Sequence, residues 1–360
     1  MKLRLFAVLL LLLTNGCLAA PPAFAPVKPV RALNFPADFG AHPEFRTEWW
    51  YVTGWLNTAA GKPLGFQVTF FRSRTEHDPA NPSAFAPHQL VIGHAAVSDP
   101  AHGRLVHAER SAREGFGLAW AKAGDTDLKL DDWRMTRAPD GSYRVSVKSS
   151  ELTLELTLAP TQPTLVQGEN GYSRKGPAPQ HASYYYSQPH LKVAGTAGRA
   201  GAAGPVTGSA WLDHEWSSEA LQPEASGWDW VGANLDDGSA LMAFQIRKKG
   251  NKQDGDKLWA HATVRDRGGK VTRYAPEQVS FTPKARWKSP RTNAEYPVAT
   301  IIATGATRWQ IAPLQNDQEL DSRRSTGAVY WEGAVTVARD GVPAGRGYLE
   351  MTGYVRPMKL

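Results

Sequence analysis

The chain has 360 residues, of which 42% are hydrophobic and 21% charged, which is ordinary for one large or two medium globular domains. Its formal net charge is +7, but no run of lysines and arginines is longer than the three residues Arg247–Lys249. A dispersed excess of this kind indicates a solvated surface rather than a nucleic-acid-binding tract, and the single cysteine excludes a disulfide framework.

The N-terminal stretch MKLRLFAVLLLLLTNGC has two early cations followed by an apolar run, which predicts a secretory signal over residues 1–19. Cys17 directly follows Gly16, where bacterial lipoproteins carry a lipidated cysteine. Two alternatives stay open, lipid anchoring at Cys17 and ordinary cleavage after Ala19. Either predicts an exported protein, in the periplasm or tethered to the outer membrane. The Pro/Ala-rich residues 20–40 are interpreted as a linker.

Short segments with alternating apolar and polar residues dominate the rest of the chain. RVSVKSSELTLELTLAP (144–160) shows the period of two that is typical of a half-buried strand, and 66–71 and 331–337 do likewise. Helical periodicity is scarce after residue 20. The sequence therefore predicts an all-β protein.

One pattern occurs twice, half a chain apart. WWYVTGWLNTAAGKPLGFQVTFFR (49–72) resembles WDWVGANLDDGSALMAFQIR (228–247), with Trp49 aligned to Trp228 and Tyr51 to Trp230. Each copy consists of a strand, a glycine-containing turn and a second strand. Both are therefore predicted to be β-hairpins.

A weaker similarity relates residues 183–216 to residues 329–354, each with an aromatic cluster, an apolar strand, a glycine-rich turn and a final strand. The two repeats together predict tandem antiparallel barrel-like domains over 41–218 and 224–360. Closing a sheet hides its edges, and a barrel of about eight strands can hold one small apolar ligand. The 13 tryptophans are suited to line such a cavity.

The stretch TGSAWLDHEWSSE places Asp213, His214 and Glu215 between Trp211 and Trp216. On a strand, Trp211, Asp213 and Glu215 share one face, and His214 and Trp216 share the other. Burial beside tryptophan and repulsion between two carboxylates raise a carboxyl pKa, which produces a protonated acid near neutral pH. Asp213, His214 and Glu215 are the candidate catalytic residues, with Asp213 as general acid.

The stretch TEWWYVTGW shows the same mixture, with Glu48 and Trp50 on one face and Trp49 and Tyr51 on the other. The YYYS stretch adds phenols that can orient a ligand. The candidate ligand-binding residues are Glu48, Trp49, Trp50, Tyr51, Tyr185, Trp211, Trp216, Trp228 and Trp230.

Structural explanations are open for several of these acids. Asp213 or Glu215 can be neutralised by a buried arginine such as Arg72, and Glu332 in YWEG and Glu350 in YLEM, taken alone, are more typical of structural residues. HEW does not extend to a HExxH zinc motif, and the sequence has no GxSxG, P-loop or GxGxxG pattern. We therefore expect neither a metal nor a cofactor.

Seven stretches in fixed order, EWWYVTG, GFQVTFFR, ASYYYS, WLDHEW, GWDW, YWEG and GYLEMTGY, resemble the AttH or "predicted secreted hydrolase" proteins of the carotenoid 1,2-hydratase (CrtC) superfamily. The similarity runs from His42 to Tyr354. It implies two lipocalin-like (calycin) barrels and an acidic cluster in an apolar cavity, matched here by Asp213, His214 and Glu215. In such a site an acid protonates an alkene, and a carboxylate or histidine delivers water to the cation.

Three hypotheses follow from the sequence. The first is an exported, cofactor-free hydratase or hydrolase acting on a small hydrophobic, isoprenoid- or lipid-like molecule. The second is a lipocalin-type carrier, for which the cavity carboxylates should pair with Arg72 or Arg247. The third is a structural envelope protein without a cavity. The enzyme predicts at least one carboxyl group without a cationic partner at the cavity wall.

Overall fold

A computed structural model describes residues 24–78, 80–219, 221–250 and 256–358. The predicted signal over 1–19, including Cys17, lies outside these residues. Within them the chain forms β-strands and two short 3-10 helices, Ala37–Phe39 and Pro276–Gln278, and no α-helix. The all-β prediction is confirmed.

The first of two antiparallel sheets is built from the N-terminal half of the chain. In the described residues its strands are β1 (Thr47–Thr58), β2 (Pro63–Arg74), β3 (Gln89–Ser98), β4 (Leu105–Arg113), β5 (Ala119–Ala121), β6 (Asp127–Leu130), β7 (Trp133–Arg137), β8 (Tyr143–Lys148), β9 (Leu152–Ala159), β10 (Leu165–Val166), β11 (Tyr172–Arg174), β12 (Ala182–Arg199) and β13 (Gly204–Ser217). Their order is β4-β3-β2-β1-β13-β12-β9-β8-β7-β6-β5, with β10 and β11 paired to β12. Because β3 and β4 also contact β5 and β6, the sheet forms a nearly closed barrel.

The second sheet repeats this plan with fewer strands. They are β14 (Ala225–Leu235), β15 (Ala240–Lys248), β16 (Lys257–Arg265), β17 (Val271–Tyr274), β18 (Val279–Lys288), β19 (Glu295–Thr304), β20 (Thr307–Pro313), β21 (Glu319–Ser322), β22 (Ala328–Arg339) and β23 (Val342–Met351). Their order is β17-β16-β15-β14-β23-β22-β20-β19-β18, and β21 pairs with β22. Strand β18 also contacts β15 and β16, so this sheet curves back on itself.

The two predicted hairpins are confirmed. Strand β1 pairs antiparallel with β2, and β14 pairs with β15. Their turns contain Gly61 and Gly238, which have φ angles of 73° and 86°. This left-handed conformation favours glycine at both turns. The predicted domain limits, 41–218 and 224–360, stay a prediction, since strand pairing does not define where a folding unit begins.

Residues 24–40, interpreted from the sequence as linker, lie against the first barrel. Val27 and Phe39 are buried in its hydrophobic cluster. The Tyr184 hydroxyl donates to the carbonyl of Lys28 and accepts from its amide. This segment also carries Asp38 into a buried position, where it takes part in a polar network described below.

Apolar side chains form three large clusters, one in each barrel and one between the barrels. One fills the first barrel and one fills the second. The third lies between the barrels and includes Tyr51, Trp211, Trp230, Phe244 and Tyr348. The strands that meet between the barrels therefore bury both faces, and each apolar side chain buried there contributes about 1.5–3 kcal/mol.

Candidate functional site

Strand β13 places the residues of the DHEW stretch alternately on two faces. Asp213 and Glu215 face the second sheet, on the same side as Trp211, whereas His214 and Trp216 lie inside the first barrel. The predicted division of faces is confirmed. The predicted cluster of Asp213, His214 and Glu215 needs a correction, because neighbours on a strand point in opposite directions and His214 does not line the cavity.

A cavity of about 100 Å³ lies between the two barrels. Strands β1, β2 and β13 form one wall, and β14, β15, β22 and β23 form the other. The sequence predicted a cavity inside a barrel. The structure places it between the barrels instead, because side chains fill both barrel interiors. Its aromatic lining consists of Trp49, Tyr51, Phe71, Trp228, Trp230 and Phe244.

Strand pairing aligns carboxyl groups on both walls. In the first sheet Asp213 lies opposite Tyr51. In the second sheet Glu350 lies between Trp230 and Glu332 on the neighbouring strands. Two hydrogen bonds join the walls: the Tyr51 hydroxyl donates to Glu332 Oε2 at 2.6 Å, and Trp230 Nε1 donates to the Tyr185 hydroxyl at 3.1 Å. The two rows therefore meet across the cavity.

Asp213 is a buried carboxyl group held by three donors. The Tyr185 hydroxyl donates to Oδ2 at 2.5 Å, and the Ser187 hydroxyl and Trp211 Nε1 donate to Oδ1 at 2.5 and 2.6 Å. Burial raises the pKa of Asp213 to about 7, although these donors act in the opposite direction. At neutral pH Asp213 can therefore both accept and release a proton.

Glu332 and Glu350 form a second pair of acids on the opposite wall. Burial, and then the neighbouring Glu350, raise the pKa of Glu332 well above its usual value. Burial raises the pKa of Glu350 to about 7, and the charge of Asp213 acts in the same direction. Two adjacent carboxyl groups in a dry site cannot both ionise easily. Burial and the neighbouring Glu350 therefore favour the protonated form of Glu332.

Glu215 differs from the other cavity acids because it has a cationic partner. Lys175 Nζ lies 2.9 Å from Glu215 Oε1, and both side chains are almost fully buried. The same ammonium group lies 4.6 Å from the ring centre of Tyr185 and 4.2 Å from that of Phe244. These contacts fix Lys175 at the cavity wall and neutralise one of its four carboxyl groups.

The arginines that could have neutralised the cavity acids pair elsewhere. Arg72 lies 2.8 Å from Glu48 inside the first barrel, and Arg247 lies 3.2 Å from Asp229. The interpretation of Arg72 as the partner of Asp213 or Glu215 is therefore wrong: Arg72 and Glu48 share a cross-strand pair on the opposite face of the sheet. Within the described ranges, no ion pair reaches Asp213, Glu332 or Glu350.

The nine predicted binding residues separate into three groups. Those that line the cavity are Trp49, Tyr51, Trp228 and Trp230. Two others, Tyr185 and Trp211, do not line the cavity but donate hydrogen bonds to Asp213. The remaining three, Glu48, Trp50 and Trp216, require a correction, because strand alternation directs them into the first barrel.

The predicted site residues did not include three ionisable residues of the cavity, Lys175, Glu332 and Glu350. Glu332 and Glu350 each occur in the sequence among aromatic residues. Each follows a tyrosine, Tyr330 or Tyr348, by two positions and so shares a strand face with it. This is the pattern that Asp213 shows with Trp211, and it could have identified them as cavity acids. Lys175 carries no such signal, because it follows the short strand β11 in a connection whose path only the folded chain defines.

The first barrel contains a buried set of metal-ligand types, His42, Glu48 and His214, whose ligand atoms lie within 4.8 Å of one another. Both histidine nitrogens contact Glu48 Oε1, at 2.7 and 2.8 Å, and Arg72 contacts Oε2 at 2.8 Å. Two histidines and one carboxylate can bind zinc or iron. Here each of these atoms already takes part in a hydrogen bond of ordinary length.

The partners of this set complete a closed network. His42 Nε2 contacts Asp38 at 3.0 Å, and His214 Nδ1 contacts the Tyr186 hydroxyl at 3.0 Å. Burial alone would raise the pKa of Glu48, but the two histidines and the Arg72 charge hold it well below its usual value. Burial lowers the pKa of His214 to about 4, so its ring is neutral. The network fixes β13 to β1 and to the segment that precedes β1.

The chain matches the family model described as AttH-like over residues 26–354. The chain belongs to the AttH-like family. A crystal structure of a proposed AttH protein from Nitrosomonas europaea is 60% identical and has a TM-score of 0.86, covering 92% of this chain and 100% of that one. A search of curated protein sequences found no match. In the described part of this AttH-like chain, no helix is long and apolar enough to cross a membrane.

Two more distant structures share the fold of this AttH-like chain. Kievitone hydratase from Nectria haematococca is 13% identical with a TM-score of 0.68, and the match covers 92% of this chain and 96% of that one. CghA with Sch210972 is 13% identical with a TM-score of 0.53, covering 93% and 98%. The prediction of two lipocalin-like barrels is confirmed.

Proposed function

We propose that this chain is a cofactor-free enzyme that adds water to an isolated double bond of a hydrophobic, isoprenoid-like molecule. The observation that carries the proposal is the inter-barrel cavity, where Asp213, Glu332 and Glu350 have no cationic partner among the described residues. A carrier has no need of buried carboxyl groups without a partner, whereas acid catalysis requires one that is protonated at neutral pH.

Glu332 is the proposed proton donor. Its pKa lies well above the usual value, and the Tyr51 hydroxyl holds one of its oxygens at 2.6 Å. The O–H bond of Glu332 breaks while a C–H bond forms at the less substituted alkene carbon. The electron pair of the double bond makes the new bond, which leaves a carbocation on the other carbon and a negative charge on Glu332.

Asp213 is the proposed proton acceptor. Its three donors fix both carboxylate oxygens, and its pKa of about 7 allows it to take a proton from water at neutral pH. Water attacks the carbocation through oxygen, a C–O bond forms, and the released proton passes to Asp213. Alkene and water give an alcohol, and transfer of that proton back to Glu332 restores the enzyme. No oxidant or reductant is involved.

Aromatic faces are the proposed means of stabilising the carbocation. Trp49, Trp228 and Trp230 line the cavity beside the acids, and a ring face attracts a cation most strongly in a dry site. The name of kievitone hydratase, a structural neighbour, favours hydration over hydrolysis for this fold. A carrier without activity is the alternative that the experiment separates from a hydratase, and a hydrolase acting through the same acids is the second alternative.

The experiment uses citronellic acid and the hydrocarbon with the same branched skeleton, each of which has one trisubstituted double bond. The protein is incubated with each molecule in water labelled with heavy oxygen, and a tertiary alcohol carrying the label is expected. The matched variants are Glu332→Gln and the control Glu319→Gln, a buried acid of β21 bonded to Ser289 and Tyr296. Binding without a labelled product would support the carrier instead.

We also propose that the chain is exported, because a cation-led apolar run precedes small residues within residues 1–19. N-terminal sequencing of the protein from its native envelope tests this. A start after Ala19 indicates a free periplasmic protein, and a blocked Cys17 indicates a lipid-tethered one. An intact Met1 would contradict both.

A further inference from the structure

The crevice between the barrels continues beyond the acid cavity. Along the central strands, the row after Asp213 contains Thr53 opposite Trp211 in the first sheet and Gly232 opposite Tyr348 in the second. The following rows line a groove of about 460 Å³ that opens toward solvent. Cavity and groove are thus two compartments of one crevice.

Two rings, Trp211 and Tyr348, lie between these compartments. Trp211 is fixed, because its Nε1 donates to Asp213 at 2.6 Å. The Tyr348 hydroxyl contacts the Glu332 carbonyl at 3.4 Å and the side chain of Ser98. A Cβ at Gly232 would lie 2.6 Å from the Trp230 ring and 3.0 Å from that of Trp211, so the glycine makes room for these rings. Trp211 and Tyr348 line the groove but not the cavity, so a ligand tail that crosses from one to the other must displace Tyr348.

Thr53 supplies an observation that points to a ligand on the groove side. Its side chain is fully buried and lines the groove, yet its hydroxyl oxygen has no hydrogen-bond partner within the described chain. Buried hydroxyl groups are nearly always paired. The Thr53 hydroxyl is therefore free to bond an acceptor that enters the groove.

Arg346 adds a positive charge to the same groove. Its guanidinium group lies 4.8 Å from the ring centre of Trp55, and it forms no ion pair with another described residue. Asn57 and Asn234 add amide groups, and the exposed Asp236 is the one acid at the rim. A guanidinium group and a free hydroxyl together suit a carboxylate, which accepts hydrogen bonds at both oxygens.

We propose that this groove binds the carboxylate head of an amphipathic substrate whose alkene-bearing tail passes Tyr348 into the acid cavity. This inference rests on the proposed function and names its substrate class, an unsaturated isoprenoid acid. The head is held by Thr53 and Arg346, outside the cavity, so that its charge does not approach Asp213 and Glu332. The groove positions the double bond and takes no part in proton transfer.

The test compares binding of citronellic acid with binding of the matched hydrocarbon by isothermal titration calorimetry. In the wild-type protein the acid should bind about tenfold more tightly, which corresponds to one charge-assisted hydrogen bond. Arg346→Gln and Thr53→Val should each remove most of this preference and leave hydrocarbon affinity within about twofold. Arg339→Gln is the matched control, because Arg339 also lies over a tryptophan, Trp309, but outside the groove.

The outcomes separate this inference from the catalytic proposal. Hydration of the hydrocarbon together with equal binding of both molecules overturns the groove and leaves the catalytic proposal intact. A preference for the acid that persists in Arg346→Gln and Thr53→Val also overturns the groove. Groove-dependent binding without a labelled alcohol overturns the catalytic proposal alone. If neither molecule binds, both proposals fail.

Discussion

The two walls of the cavity derive from repeated halves of the chain, yet they treat their acids differently. In the first wall the strand beside Asp213 carries Ser187, whose hydroxyl donates to it. In the second wall the strand beside Glu350 carries Glu332. A hydroxyl in one wall and a carboxyl group in the other occupy the same position relative to the central acid. The Ser187 hydroxyl stabilises the ionised form of Asp213, whereas the nearby carboxyl group of Glu350 favours the protonated form of Glu332.

Replacing the second wall's acid should have the largest effect. Glu332→Gln keeps the size of the side chain and an acceptor for Tyr51 but removes the transferable proton. Turnover should fall by about 100- to 10,000-fold, the usual contribution of a general acid. The melting temperature should stay the same or rise, because burial raises the pKa of Glu332, so that folding at neutral pH favours proton uptake there, and glutamine has no such cost. Full activity in a stable variant would remove Glu332 from the mechanism.

Substitutions on the face of β13 that points away from the cavity should lower stability rather than turnover. His214→Gln disturbs the bonds to Glu48 and Tyr186, and should lower the free energy of unfolding by about 1–3 kcal/mol. Turnover per folded molecule should change only a few-fold, since His214 does not line the cavity. Chemical denaturation and activity are measured on the same preparation. A large loss of turnover at unchanged stability would restore the catalytic role predicted from the sequence.

His94 joins the two barrels and makes their contact sensitive to acid. Its Nδ1 lies 2.5 Å from the Tyr330 hydroxyl, and burial lowers its pKa to about 3. The unfolded chain binds a proton at His94 below about pH 6.5 while the folded chain does not, so stability is lost as pH falls from 6.5 toward 3. At pH 5 this amounts to about 2 kcal/mol relative to neutral pH.

The measurement compares urea unfolding at pH 7 and pH 5 for the wild-type protein and His94→Gln. The variant should lose that part of the pH dependence, even though it is less stable at neutral pH. Equal pH dependence in the two proteins would show that His94 titrates in the folded state as it does in the unfolded chain.

The smallest effect is expected from removing one of the hydrogen-bond donors to Asp213. Ser187→Ala removes a hydrogen bond that favours ionised Asp213, so the pKa of Asp213 should rise by about one unit. The limb of the pH–rate profile that requires the Asp213 carboxylate should move to higher pH by the same amount. Thr58→Ala, on β1 but far from Asp213, is the control. An unmoved profile would exclude Asp213 as the proton acceptor.

Local patterns predicted much of this arrangement. Alternation along β13 correctly separated Asp213 and Glu215 from His214 and Trp216, because side-chain direction on a strand depends only on the backbone. The repeat also predicted the two hairpins and hence two similar barrels. The position of the cavity did not follow, because alternation says that a strand has two faces and does not say which one lies inside the barrel.

The sequence by itself determined the all-β class, the paired hairpins and the mixture of acids with aromatic residues, since these depend on backbone periodicity and composition. Only the tertiary structure decided that Arg72 pairs with Glu48, that Glu332 meets Tyr51, and that Lys175 reaches Glu215. Those contacts join residues distant in sequence, and the packing of one barrel on the other creates most of them. The same packing removes water from the carboxyl groups, and their pKa values follow from that burial.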